Sequence, residues 1–133
     1  MATINRTIRQ FKDLDLNFLS HPLTGDIVKS FDADSINKNL KYLIMTNVYE
    51  SPFHPEKSSQ VNSLLFEQMD YITVQVLKRT IEEVIQNFEP RVLLDAVIVT
   101  ANEEMNDLRI DIIYYVVNTS EPVTFTTTLK RIR

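Results

Sequence analysis

The sequence predicts an α+β domain: three helices, then a three-stranded antiparallel sheet. Two observations carry this. The spacing of apolar residues changes from about 3.6 to 2 at Pro90. Beyond that point short polar turns separate consecutive β-rich runs, which favours an antiparallel meander over crossover connections. With 133 residues there is material for one core and not two, so a single domain over 1–133 is expected, with a basic N-terminal tail at 1–12.

In chain order, Asp13–Phe18 alternates in the manner of a short strand, and His21-Pro22 with Thr24-Gly25-Asp26 supplies turn chemistry. Asp34 or Ser35 is expected to cap a first helix near 35–47, where Ile36, Leu40, Leu43 and Ile44 recur at helical spacing. Pro52 and Pro55 mark the loop after it. Ser59 is expected to cap a short second helix near 60–69, with Val61, Leu64, Leu65 and Met69 as its stripe. Thr73 opens the third helix, near 73–88, in which Ile72, Val76, Leu77, Thr80, Ile81, Val84, Ile85 and Phe88 recur at three- and four-residue steps. Pro90 removes a backbone donor and biases Glu89 away from helical angles, so the helix should stop there. Strands are expected near 92–101, 108–118 and 122–131. In the second, Leu108, Ile110, Ile112, Tyr114 and Val116 share a face; in the third, Val123, Phe125, Thr127 and Leu129 do. The long helix should pack on one face of this sheet.

Composition narrows the function classes. With 44% apolar and 24% charged residues, wholesale disorder is not expected. No apolar run approaches the roughly 20 residues that span a bilayer, so no membrane partner is expected. The absence of cysteine rules out disulfides and thiolate metal sites. All eighteen acids fall in 13–129 against eight bases there, so the body carries a net charge near −10 and should repel nucleic acid. A single glycine, Gly25, excludes phosphate-cradling loops. No cofactor or small-molecule substrate is implied.

The candidate chemistry is thin. His21 and His54 each precede a proline and lack zinc-type spacing, so no metal site is expected. Glu82 and Glu83 are helix neighbours pointing about 100° apart and cannot flank one bond. Glu67, Glu89 and Asp95 could converge in a fold, but the chain has no tryptophan to line a sugar groove. No catalytic residue is expected. The last strand, VTFTTTLKRIR at 123–133, is more informative: Lys130, Arg131 and Arg133 either guard its edge against aggregation or flank an edge kept for another chain's strand.

Two segments carry a resemblance. DADSINKNLKYLIMTNVYESPFHPEKSSQVNSLLFEQMD (32–70) resembles the helix, Pro-Phe-x-Pro-Glu loop and Leu-Phe-Glu helix of the contractile-tail baseplate-wedge family. NFEPRV (87–92) holds that family's Glu-Pro-Arg triplet at the helix-to-sheet junction. The resemblance implies a virion structural protein of the tail baseplate, assembled in the host bacterial cytoplasm, that primes sheath polymerisation. Its implied partners are other baseplate wedge proteins and the tail sheath protein. It further implies wedge-core docking by Glu89, Pro90 and Arg91, and loop contacts by Pro52, Phe53, Pro55 and Glu56. A sheath-pairing strand would use Val123, Phe125, Thr127, Leu129, Lys130 and Arg131. The loop departs from the family pattern: Ser51 stands where relatives tend to carry arginine, His54 where they carry aspartate, and no glycine follows Glu56. Alternatives are the equivalent part of a type VI secretion or related device, and a peptidoglycan-cleaving lysozyme, a name some family members bear.

Overall fold

The structure is a computed structural model that describes residues 11–47, 49–56, 59–102, 104–117 and 119–131. Of the basic tail at 1–12, only Phe11 and Lys12 lie within the described residues, and Arg133 lies outside them. The chain opens on an irregular hairpin. Strand β1 (Lys12–Leu14) pairs antiparallel with β2 (Lys29–Phe31), Lys12 opposite Phe31. The chain reverses at 21–26, where Gly25 takes the left-handed φ of +66° that a side chain disfavours. The strand expected over Asp13–Phe18 is therefore shorter and earlier.

Helix α1 (Asp32–Met45) begins before the expected cap. Neither Asp34 nor Ser35 caps it, because Ser35 lies inside the first turn, buried, with its hydroxyl donating to Asp13 Oδ2 at 2.8 Å. Instead, the Asp32 carboxylate accepts from the Phe11 amide at 2.9 Å and ties the helix start to the hairpin. Helix α2 (Val61–Leu64) is a single turn rather than ten residues. Its would-be cap, Ser59, is buried and donates to the Ile44 carbonyl at 2.5 Å, closing the loop against the end of α1. Its stripe still faces inward, with Val61 and Leu65 buried and Leu64 and Met69 packed beside them.

Helix α3 (Tyr71–Phe88) is capped by Asp70, whose carboxylate accepts from Thr73 N at 2.7 Å. It ends at Glu89, where φ is −122°, as the following proline requires. Its buried row is Thr73, Leu77, Ile81, Val84 and Ile85. Ile72 and Val76, expected in that stripe, are 69% and 45% exposed. They precede the buried row by one residue, about 100° around the helix, and so fall outside the face that meets the sheet.

The sheet is the expected meander of β3 (Val92–Asn102), β4 (Asp107–Val116) and β5 (Pro122–Lys130), in the order β3-β4-β5. Leu108, Ile110, Ile112, Tyr114 and Val116 are buried on one face against α1 and α3, joined by Val92, Val97 and Leu129. The register slips by one residue between Leu94 and Ala96, so Asp95 forms a β-bulge on the edge strand β3. Beyond the bulge Val97 and Val99 replace what strict alternation from Val92 would have placed inward.

Candidate functional site

The junction between α3 and β3 holds a charged strut. Pro90 turns the chain so that Glu89 and Arg91, two residues apart, face the same interior space. Arg91 Nε donates to Glu89 Oε1 at 2.7 Å and Nη2 to Oε2 at 2.9 Å, the bidentate arrangement that arginine's planar fork favours. Asn39 of α1 donates its amide to Glu89 Oε2. Arg91 Nη1 reaches the hairpin, donating to Asp13 Oδ2 at 3.0 Å and to Ser35 Oγ at 3.2 Å. The Phe11 ring lies 5.8 Å from the guanidinium carbon, within cation–π range. Four elements, β1, α1, α3 and β3, thus meet on one guanidinium.

Glu89 is 1% exposed. Burial opposes its ionisation most strongly, yet Arg91 and Asn39 together outweigh it and hold the carboxyl below the usual carboxylate range. The Ser35 hydroxyl and Arg91 do the same for Asp13. The paired carboxylates raise the already high Arg91 further. Tyr114, fully buried beneath this junction, donates to Asn37 Oδ1 at 2.6 Å, and burial, with the negative charges of Glu89 and Asp34, pushes it up to about 12. Of the triplet only Pro90 stands exposed; Glu89 and Arg91 turn inward.

The loop before α2 presents Pro52, Phe53, Pro55 and Glu56 at the surface, with Phe53 89% exposed. Its neck is built by polar contacts: Asn62 donates to Asn47 Oδ1 at 2.6 Å, and Asn47 donates to Glu50 through its backbone amide at 2.8 Å and its side chain at 2.6 Å. Tyr49 sits at a left-handed φ of +71°, a conformation costing roughly 1–2 kcal/mol for a non-glycine residue. His54 and Glu56 pair at 2.9 Å on the exposed side. Among the described residues no group of three His, Asp or Glu is placed to hold a metal ion, and no helix is long and apolar enough to cross a membrane.

Strand β5 forms an edge of the sheet. Arg131 N donates to Asn106 O at 2.9 Å, which fixes the parity of the ladder. In an antiparallel pair, bonded positions alternate. Counting back along the register from Arg131, the residues bonded to β4 are Leu129, Thr127, Phe125 and Val123. The amide and carbonyl groups of Thr124, Thr126, Thr128 and Lys130 therefore point away from β4, toward the open edge. The side chains follow the same division: Thr127 and Leu129 are buried, Val123 and Phe125 pack against the core, and the threonines between them are exposed. Lys130 is exposed, whereas Arg131 donates to the Phe66 carbonyl at 3.0 Å.

The family model described as baseplate wedge protein gp25 matches residues 31–121. The chain belongs to that family. It is 32% identical over 92 residues to the baseplate wedge protein gp25 of Enterobacteria phage T4, covering 69% of this chain and 67% of that one. Two solved structures share the fold of this wedge-family chain. A protein from Geobacter sulfurreducens described as a tail lysozyme superposes with a TM-score of 0.68 at 20% identity, covering 75% of this chain and 91% of the other. A chain of the anti-feeding prophage baseplate, solved by cryo-EM with six-fold symmetrisation, gives 0.63 at 19% identity over 92% and 87%. The wedge-family match includes Ser35, Asn39, Glu89 and Arg91 but stops short of β5 and does not reach Asp13.

The triplet is visible in the sequence, whereas its partners within the chain are not. Asp13, Ser35 and Asn39 lie 78, 56 and 52 residues from Arg91 in sequence, and nothing in their local spacing marks them. The one available signal was an acid and an arginine bracketing a proline at a helix end.

Proposed function

We propose that this wedge-family chain is a structural part of the baseplate of a contractile tail or related device, carried in the virion, and that it starts the sheath. In this reading the open edge of β5 takes a strand of the tail sheath protein by main-chain pairing. The observation that carries it is the parity of β5: Thr124, Thr126 and Thr128 direct three amides and three carbonyls outward, and among the described residues no strand covers them. Backbone pairing supplies affinity with few demands on side chains. Val123, Phe125, Thr127 and Leu129 anchor the strand to its own domain, while Lys130 and Arg131 lie at its end.

The other end of the molecule is proposed to dock on the wedge core, with Glu89 and Arg91 as the strut that fixes the exposed Pro90 turn, and with Pro52, Phe53, Pro55 and Glu56 as a second contact. A lysozyme reading is disfavoured on chemistry. A general acid needs a raised pKa, whereas Glu89 is held ionised by Arg91 and Asn39, and Glu67 and Asp95 are exposed.

Proline substitution tests the edge without removing it. Thr128→Pro deletes an outward amide that no partner within the sheet uses, and prolines are tolerated on edge strands in this orientation. The variant should fold and enter baseplates but fail to support sheath growth. Thr127→Pro deletes an amide bonded to β4 and should damage the domain itself. Ordered sheath polymerisation on a folded Thr128→Pro baseplate would overturn the proposal. For the triplet, Arg91→Lys keeps the charge but loses the fork. A loss of wedge binding greater than the loss of stability supports docking; equal losses would assign the triplet to folding alone.

A further inference from the structure

We infer that the groove between the β1–β2 hairpin and α1 receives an amphipathic segment of another baseplate chain, apolar along one side and edged with carboxylates. The inference rests on the reading of this chain as a docked wedge component, and names where one docking surface lies and what chemistry fits it. The groove encloses about 410 Å³, and its lining includes Leu14, Leu16, Ser30, Lys38, Asn39 and Tyr42.

Three independent features converge there. Its apolar walls are left open, with Leu14, Leu16 and Tyr42 each more than half exposed. Its lining includes the Ser30 hydroxyl, which among the described residues is the one fully enclosed side-chain oxygen or nitrogen without a hydrogen-bond partner. Leaving a buried hydroxyl unbonded costs stability, so it marks a place where a partner's carbonyl or amide completes the structure. The third feature is charge. Arg91 is shared between Glu89 and Asp13, which leaves that cluster one negative charge, and Asp15 pairs with Lys38 at 3.0 Å. A shallower hollow of about 230 Å³ shares Asp13 and Leu14 with the groove and brings in Lys12 and Lys29. Neither lysine has a carboxylate partner among the described residues. Lys12, Lys29, Lys38 and Arg91 stand against Asp13, Asp15 and Glu89, so the rim carries about one net positive charge on a chain whose net charge is −4, which favours acidic neighbours. Because Asp13, Ser35 and Asn39 both line the groove and bond the strut, an occupant here would be held against the most rigid part of the domain.

The test places the photo-crosslinker p-benzoylphenylalanine at position 16 or 42 of the full chain, in baseplates assembled by the producing cell. After irradiation, mass spectrometry identifies the captured peptide. The expected product is one segment of a different baseplate protein, apolar on one side and flanked by Asp or Glu. Capture of a second copy, of residues 1–10 of the same chain, of a basic segment, or of nothing by an incorporated chain would overturn the inference. If the unsubstituted chain were itself missing from baseplates, the underlying reading would fall and take the inference with it. A second measurement uses the captured segment as a synthetic peptide. Ser30→Ala should raise the thermal midpoint of the purified chain by about 3 °C, since it removes an unbonded hydroxyl, while weakening the peptide about fivefold. Unchanged or tighter peptide binding would overturn the role given to Ser30.

Discussion

Among the described residues Arg91 ties together distant parts of the chain, bonding to Glu89, Asp13 and Ser35 while lying over Phe11. Removing it leaves Glu89 as a buried carboxylate held only by Asn39, so Arg91→Ala should cost about 3–5 kcal/mol, read from urea unfolding. The strut also sets the acid limit of stability. Glu89 and Asp13 have folded pKa values below their ordinary 4.5 and 3.8, so their contribution is complete above about pH 4.5 and is lost as pH falls through the folded values. Arg91→Ala should abolish most of that acid dependence; an unchanged pH profile would show that other groups set it. At the alkaline side Tyr114 titrates at about 12 when folded and near 10 when unfolded, so stability should fall between those values. Tyr114→Phe should flatten that limb of the urea-midpoint profile. At this scale the sequence was only partly legible. Glu89-Pro90-Arg91 could be found, but the inward aim of both charges depends on residues some 50 to 80 positions away, which no local pattern encodes.

Elements were more legible than side chains, for physical reasons that differ from one to the next. The meander and α3 follow from periodicity sustained over many residues, and their observed bounds lie close to those expected. No cap forms where a polar residue has a better tertiary partner: Ser35 serves Asp13, and Ser59 serves the Ile44 carbonyl. A hydroxyl at a helix start reads as a cap in sequence, and only the fold reveals the competing acceptor. Asp70 is the cap that did form, one turn before the residue expected to open α3. Asp70→Ala should cost about 1 kcal/mol and lower the thermal midpoint by a few degrees. No measurable change would mean that α3 is fixed by packing alone. The wedge-family match supports the same hierarchy, since it spans α1 to β4, where the periodic core lies, and leaves out β5 and all of the hairpin but Phe31.

For the molecule as a whole, charge and topology act together. The positive rim of the groove and Lys130 at the end of β5 stand out on an acidic body. Attachments made through them should weaken as salt is raised from about 0.1 to 1 M, because the screening length shrinks from about 10 to 3 Å. Co-sedimentation of the chain with purified wedges across that range checks this, and salt-independent binding would argue for apolar contacts alone. The bulge at Asp95 has a further consequence. Bulges disrupt the ladder and twist an edge away from regular pairing, and Asp95 adds an exposed carboxylate to the β3 side. The two margins of the sheet are therefore unequal: β5 is regular over its whole length, and β3 is interrupted near its start. A three-stranded sheet with two good margins could be threaded into an endless row of its own kind. If β5 takes a partner strand as proposed above, one regular margin and one interrupted margin would make the sheet a monofunctional seed, adding a strand on one side and giving whatever grows from it a fixed direction.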